Sequence, residues 1–120
     1  MRTKLATLIA KMEGFGLPHT IPTLRHNPGD LRHGPNASHD GIGKDDIGIY
    51  ATDELGWLDL ERQLTLYSLR GLTVRQAIAY YAPPNENNTS NYLEYICKNL
   101  PCTPDTPISE AIKIVEEEAT

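Results

Sequence analysis

The stretch Thr52-Asp53-Glu54-Leu55-Gly56-Trp57-Leu58-Asp59-Leu60-Glu61-Arg62-Gln63-Leu64-Thr65-Leu66-Tyr67-Ser68-Leu69-Arg70-Gly71 decides the class of the fold. Trp57, Leu60, Leu64 and Tyr67 recur at helical spacing, and Leu58 widens their stripe. Thr52 is placed to cap the first turn, and Asp53 and Glu54 stand where the helix dipole favours negative charge. Gly71 suits the left-handed residue that closes a helix. These signals predict a helix from Asp53 to Arg70. A second helix follows at once. Thr73 and Gln76 form a Thr-x-x-Gln capping box, Val74, Ala77, Ile78 and Tyr81 make an apolar face, and Pro83 and Pro84 stop it.

Outward from this pair the pattern stays helical. Leu5, Leu8, Ile9 and Met12 lie on one face of a first helix that begins at Arg2 or Thr3 and ends at Glu13, before Gly14, Gly16 and Pro18. Leu93, Ile96, Cys97 and Leu100 share a face over Asn91–Leu100. Ile108, Ala111, Ile112 and Val115 predict a short last helix with Thr106 as cap and Pro107 at its first position. Glu116, Glu117 and Glu118 read as a solvated, frayed end. Residues 14–52 differ. Turn-forming residues dominate there, with few apolar anchors, which predicts a long, ordered surface excursion. Ile47–Ala51 reads as a short strand with Leu31-Arg32 as its partner. The expected architecture is mainly α, one domain over residues 1–120, with a small loop or β insert after the first helix.

Composition bounds the function. The chain has 120 residues, a formal net charge of -5 and a 39% hydrophobic content. One modest core fits that length. An acidic chain makes a poor general grip for nucleic acid or anionic lipid. No apolar run is long enough to insert in a bilayer, and no signal peptide is visible. Cys97 and Cys102 form neither a disulfide scaffold nor a CxxC metal knuckle. His19, His26, His33 and His39 match no zinc spacing, and the glycines near Lys44 lack the spacing of a phosphate loop. No metal or cofactor is expected.

Glu13 is the main candidate for chemistry. It follows Ile9 by four positions, so its side chain leans toward the buried edge of its helix. Gly14 and Gly16 allow close approach, and Phe15 lowers the polarity nearby. A carboxyl group there would hold its proton to higher pH, as a general acid must. The alternative is an ordinary helix-end glutamate, although negative charge at a helix C-terminus is unfavourable. In Asn27-Pro28-Gly29-Asp30, Asn27 and Asp30 either bond turn amides or present polar groups to a sugar. Asp53 and Glu54 offer a second carboxylate, or simply match the helix dipole. Tyr80, Tyr81, Tyr92 and Tyr95 flank the polar loop 83–90, where they would suit a glycan groove or serve as packing residues with wet hydroxyls. Cys97 reads as core.

Several short motifs occur in a telling order: Ile9-Ala10-Lys11-Met12-Glu13-Gly14-Phe15, then Asn27-Pro28-Gly29-Asp30-Leu31-Arg32, then Glu54-Leu55-Gly56-Trp57-Leu58-Asp59-Leu60, then Gly71-Leu72-Thr73. Last comes Tyr81-Ala82-Pro83-Pro84-Asn85-Glu86-Asn87-Asn88-Thr89-Ser90-Asn91-Tyr92. This series resembles small lysozyme-like proteins of phages, prophages and bacteria, related to soluble lytic transglycosylases. The resemblance runs from the first helix to Pro107. It implies an α+β lysozyme-like fold with a glycan cleft, and cleavage of the β-1,4 bond between N-acetylmuramic acid and N-acetylglucosamine in peptidoglycan. It implies that Glu13 is the catalytic acid. The Asn-Pro-Gly motif falls on Asn27, Pro28 and Gly29. The Ala-Pro-Pro-x-Glu-Asn-x-Thr-x-x-Tyr motif falls on Ala82, Pro83, Pro84, Glu86, Asn87, Thr89 and Tyr92. With Asp30, Asp53 and Tyr81, these supply the expected substrate contacts: Asn27, Asp30, Asp53, Tyr81, Glu86, Asn87 and Tyr92. The chain departs from the pattern at Asp30, where asparagine is common, and in the length and charge of His33–Asp46.

Such an enzyme acts on the cell wall, so it would reach the periplasm or exterior by a holin, another domain, a virion or an unusual export route. Either hydrolysis or substrate-assisted transglycosylation to a 1,6-anhydro product fits. Two other classes fit the same sequence: an inactive lysozyme-like glycan-binding or phage structural protein, and a small helical interaction module.

Overall fold

A computed structural model describes residues 2–41, 46–81 and 89–116. The expected stop at Pro83 and Pro84, the motif residues Glu86 and Asn87, and the frayed end at Glu117 and Glu118 lie outside the described residues. The fold is mainly helical. Its helices are α1 (Lys4–Glu13), α2 (Ile21–Leu24), α3 (Asp53–Leu69), α4 (Val74–Tyr81), α5 (Thr89–Asn99) and α6 (Ile108–Ala111). Isolated antiparallel bridges join Thr3 to Val115, Ser38 to Ile49 and Thr73 to Pro107. The chain divides into two compact units, Met1–Leu8 with Gln63–Thr120, and Ile9–Arg62.

In the split unit, the helix boundaries follow from local chemistry. Gly71, at φ 72°, ends α3. Its amide donates to Ser68 at 3.0 Å and the amide of Leu72 donates to Tyr67 at 3.2 Å, the paired bonds of a Schellman turn. Thr73 and Gln76 then exchange the two bonds of the capping box, at 2.9 and 3.2 Å. The remaining first-turn amides of α4 are met from outside. Val74 donates to the Thr106 carbonyl at 2.9 Å, and Arg75 to that of Pro104 at 2.8 Å. No donor of that turn is left to water. Helix α4 packs on α5 and α6, and Val74, Ala77, Ile78, Leu93, Ile96 and Ile108 are buried.

The last helix is shorter than its apolar spacing predicts. It makes one turn, with Pro107 rather than Thr106 at the N-cap position. The Thr106 hydroxyl instead accepts from the Thr103 amide at 2.9 Å. Beyond Ile112 the chain turns extended and pairs with the N-terminal segment. Lys4 N–H donates to Ile114 at 2.9 Å, and Glu116 N–H to Arg2 at 3.0 Å. A one-turn helix is weak in isolation, and pairing with the N-terminal segment gives the Ile114 carbonyl and the Glu116 amide fixed partners.

The contiguous unit holds the end of α1, α2, the long excursion and the first part of α3. Its expected strand is absent. Among the described residues, 48–50 form a hub rather than a ladder. Gly48 N–H donates to Leu31 at 2.9 Å, Ile49 N–H to Ser38 at 2.8 Å and Tyr50 N–H to Arg25 at 2.9 Å. The Leu31 partner is therefore right for one bond, but three successive donors serve three different segments. The expected apolar faces also need two corrections. Leu58 is exposed, because it lies across α3 from the buried side that carries Gly56, Asp59, Leu60 and Leu64. Met12 is exposed in the last turn of α1, where the buried face has shifted to include Ala6 and Ala10.

Candidate active site

The site is built from the end of α1 outward. Gly14, at φ 88°, terminates the helix. The Gly14 amide donates to Lys11 at 3.1 Å and the Phe15 amide to Ala10 at 2.9 Å, again a Schellman pair. Glu13 is thus the last helical residue, and Gly14 gives the left-handed bend that a side chain would resist. The turn that follows is tied down by two threonines. Thr20 Oγ1 donates to the Gly14 carbonyl at 2.8 Å and lies 2.8 Å from Thr23 Oγ1, which accepts from the Gly16 amide at 2.9 Å. Phe15 meets Trp57 of α3 edge-on, with ring centroids 5.5 Å apart. Glu13 therefore sits on a fixed element beside an aromatic pair.

The Asn27–Asp30 turn lies in the same unit. Asn27 is fully buried. Its Nδ2 donates to the carbonyls of Leu31 at 2.8 Å and Gly48 at 2.9 Å, and its Oδ1 accepts from the Leu31 amide at 2.9 Å. Of its two roles it takes the structural one: it binds turn to loop, and its amide is enclosed where a sugar contact was expected. Asp30 closes the turn, its amide donating to Asn27 at 3.0 Å, in the left-handed region at φ 51°. Aspartate tolerates that region better than most residues. Asp30 Oδ1 is shut off from solvent.

These placements set the chemistry of Glu13. Its carboxyl is half-buried, and burial, followed by the negative charge of Asp30, pushes its pKa up to about 7. Among the described residues no hydrogen bond or ion pair joins a cation to it. The carboxylate whose charge raises the Glu13 pKa is Asp30; the sequence offers Asp53 or Glu54 as a second carboxylate for the reaction. Asp53 is engaged elsewhere, its Oδ1 lying 2.7 Å from His26 Nδ1 with both side chains about half exposed, and Glu54 is exposed.

No family model, curated protein or solved structure matches this chain. What the site can do is therefore read from its own groups. A carboxylic acid that titrates near neutrality can give a proton to a leaving group and take one back. Among the described residues no cluster of three or more His, Cys, Asp or Glu is arranged to hold a metal. No described helix is long and apolar enough to cross a membrane.

In the split unit, Tyr92 is buried, and the hydroxyl oxygens of Tyr81 and Tyr92 are both enclosed. Tyr92 thus packs as one of its two alternatives had it, but with its hydroxyl enclosed rather than wet. Tyr80 stacks on Tyr67, with centroids 5.8 Å apart, and receives the Arg70 guanidinium over its ring.

One polar centre was not legible as such in the sequence. Asp59 of α3 is buried and accepts from Tyr50 Oη at 2.8 Å, from the Asn36 amide at 3.0 Å and from Asn36 Nδ2 at 2.8 Å. Gly34 lies against this carboxylate, and a Cβ there would also stand 2.6 Å from the Tyr50 hydroxyl. Asp59 fastens the 34–36 turn and Tyr50 to the helix next to the aromatic pair. Its signal was available: it lies three positions after Gly56 and one before Leu60, on the buried stripe.

Proposed function

We propose that the protein cleaves peptidoglycan strands at the β-1,4 bond between N-acetylmuramic acid and N-acetylglucosamine, with Glu13 as general acid in a lysozyme-like fold. The observation that carries the reading is the Glu13 carboxyl itself: half-buried at a helix end, beside Asp30, and titrating near pH 7. The order of the motifs around Glu13, Asn27 and Tyr81–Tyr92 supports the same reading.

In this scheme the neutral Glu13 protonates the glycosidic oxygen as the bond breaks. The resulting carboxylate then takes the proton of the attacking hydroxyl. If water attacks, the products end in reducing sugars. If the muramyl 6-hydroxyl attacks, with the substrate's own N-acetyl group steadying the positive centre, the products end in 1,6-anhydro sugars. Burial, and then the negative charge of Asp30, keep Glu13 protonated in this reaction. A second carboxylate that activates water in an inverting enzyme stands about 6.5–9.5 Å from the acid. Asp53, with its Oδ1 2.7 Å from His26 Nδ1, and Glu54 are the residues the sequence offers for that part.

The test is digestion of purified peptidoglycan by the wild type and by Glu13→Gln, with mass spectrometry of the muropeptides. Glutamine keeps the shape and loses the transferable proton. Turnover should fall by roughly 10²–10⁴-fold while the fold persists. Anhydro or reducing ends identify the nucleophile. Equal rates would eliminate Glu13 as the acid. Retained glycan affinity with no turnover in either protein would identify an inactive lysozyme-like binder instead.

A further inference from the structure

We propose that Cys97 and Cys102 are a redox pair that closes into an intramolecular disulfide on meeting a low-molecular-weight disulfide such as oxidised glutathione, locking the 102–107 strap to the end of α5. Glu13 takes no part in this, and its role can fail without affecting it.

The placement follows from how α5 stops. The helix ends at Asn99, the Leu100 amide still donates to Ile96 at 2.9 Å, and the chain reverses at Pro101. The Cys102 amide donates to Leu100 at 2.7 Å, which folds Cys102 back along the helix. Its thiol donates to Cys97 Sγ at 3.8 Å. Both cysteines are free, and neither is fully buried. Five positions apart on a continuing helix, the two side chains would diverge around the axis. The reversal brings the two sulfurs to 3.8 Å, close to van der Waals contact, and bonding needs them to close to about 2.05 Å.

The strap beyond Cys102 has work to do in the fold. The carbonyls of Pro104 and Thr106 receive the first amides of α4, and Ile108 N–H donates to Leu72 at 2.9 Å. While the thiols are reduced, the covalent link between this strap and α5 is the peptide chain through Leu100 and Pro101. The disulfide would tie the C-terminal end of α5, through the strap, to the N-terminal end of α4.

The exchange balances as follows. Cys97, as thiolate, attacks one sulfur of oxidised glutathione. That S–S bond breaks, a mixed disulfide forms on Cys97, and one glutathione leaves as thiolate and takes up a proton. Cys102 then loses its proton, attacks Cys97 Sγ and expels the second glutathione. Two cysteine thiols give up two electrons, and the oxidant becomes two thiols. In the reduced pair burial, and then the hydrogen bond and charge of Cys97, hold the Cys102 thiol up at about 11; in the mixed disulfide the charge of Cys97 is gone and burial remains, so the second step quickens as pH rises.

The experiment uses the full chain, folded and reduced, then incubated with oxidised glutathione. Intact-mass and peptide mass spectrometry after alkylation read the sulfur chemistry, and amide hydrogen exchange reads the strap. The expected product has lost two hydrogens, carries no glutathione and no alkyl group, and yields a peptide with Cys97 and Cys102 joined. Cys97→Ser and Cys102→Ser should each retain one glutathione. Exchange at Val74 and Arg75 should slow several-fold on oxidation of the wild type. A wild-type chain that keeps a stable glutathione adduct, alkylates at both thiols, or crosslinks between chains overturns the pair. Closure with unchanged exchange at Val74 and Arg75 overturns the lock. The wild-type masses decide the question even where a serine variant fails to fold.

Discussion

Glu13 illustrates how one side chain links acidity to stability. In the folded protein its pKa is about 7, against an ordinary value of 4.5. The folded state therefore binds this proton more tightly than the unfolded chain does. Between those two values the folded state carries more protons, so stability falls as pH rises. The benefit is complete below about pH 4.5 and is lost as pH climbs through 7. A shift of that size corresponds to at most about 3 kcal/mol, at 1.36 kcal/mol for each pH unit. Glu13→Gln carries no such proton. It should melt with the wild type at pH 4 and above it at pH 8, so the variant that loses activity gains stability where the wild type must ionise a half-buried acid. Thermal melts across that range check this. Asp30→Asn removes the second cause of the shift and leaves the larger one, burial. Glu13 should then titrate lower than in the wild type but still above an exposed glutamate, as read by carbon NMR of its carboxyl. An unchanged titration would show that Asp30 exerts no field on Glu13.

At the scale of elements, what was legible was what neighbours in sequence decide. Thr52 caps α3, its Oγ1 accepting from Leu55 N–H at 3.3 Å, and the Thr73–Gln76 box and the glycines at 14 and 71 sit where local rules put them. The leaning of Glu13 toward buried surface was legible for the same reason, since helical geometry fixes it within two turns. The rest depended on partners distant in sequence. Residues 47–51 have strand composition, yet the amides of 48–50 are drawn to Leu31, Ser38 and Arg25. Helix α6 loses its second turn to pairing with the N-terminal segment. Asn27 and Asp30 looked equivalent in one turn, but only the loop at Gly48 could show that Asn27 is enclosed. Asp59 is the most consequential case. Its three donors come from 9 and 23 positions away, and no local pattern names them. Asp59→Ala leaves the buried Tyr50 hydroxyl without its acceptor, releases the exposed Asn36 to water and should cost about 2–4 kcal/mol. Tyr50→Phe removes one charge-assisted bond and should cost about 1.5–3 kcal/mol. Urea denaturation midpoints measure both, and a neutral result for Asp59→Ala would mean that the 34–36 turn is held by other contacts. Gly56 shows the same dependence from the other side. Alanine is the better helix former, but a Cβ there would meet the His26 carbonyl and stand 2.6 Å from Pro28 Cδ.

At the scale of the whole molecule, the formal charge of -5 sets the background against which the proposed substrate must be met. It offers no general attraction for an anionic polymer, so recognition falls to local groups. The division of the chain has a different consequence, in the order of events during synthesis. Ile9–Arg62 is one uninterrupted segment, whereas the other unit joins residues from both ends of the chain, with Arg2 and Lys4 paired to Glu116 and Ile114. Domains tend to fold as they leave the ribosome, N-terminal parts first. The segment carrying Glu13, Asn27, Asp30 and Asp59 is whole long before the last residues are translated. Arg2 and Lys4 must wait for Glu116 and Ile114, which are translated far later. Ribosome-stalled nascent chains should therefore acquire protease protection in 9–62 at lengths that leave 2–8 open to cleavage. Protection of both segments only after residues 114–116 have emerged would mean that the two units fold in a single late step.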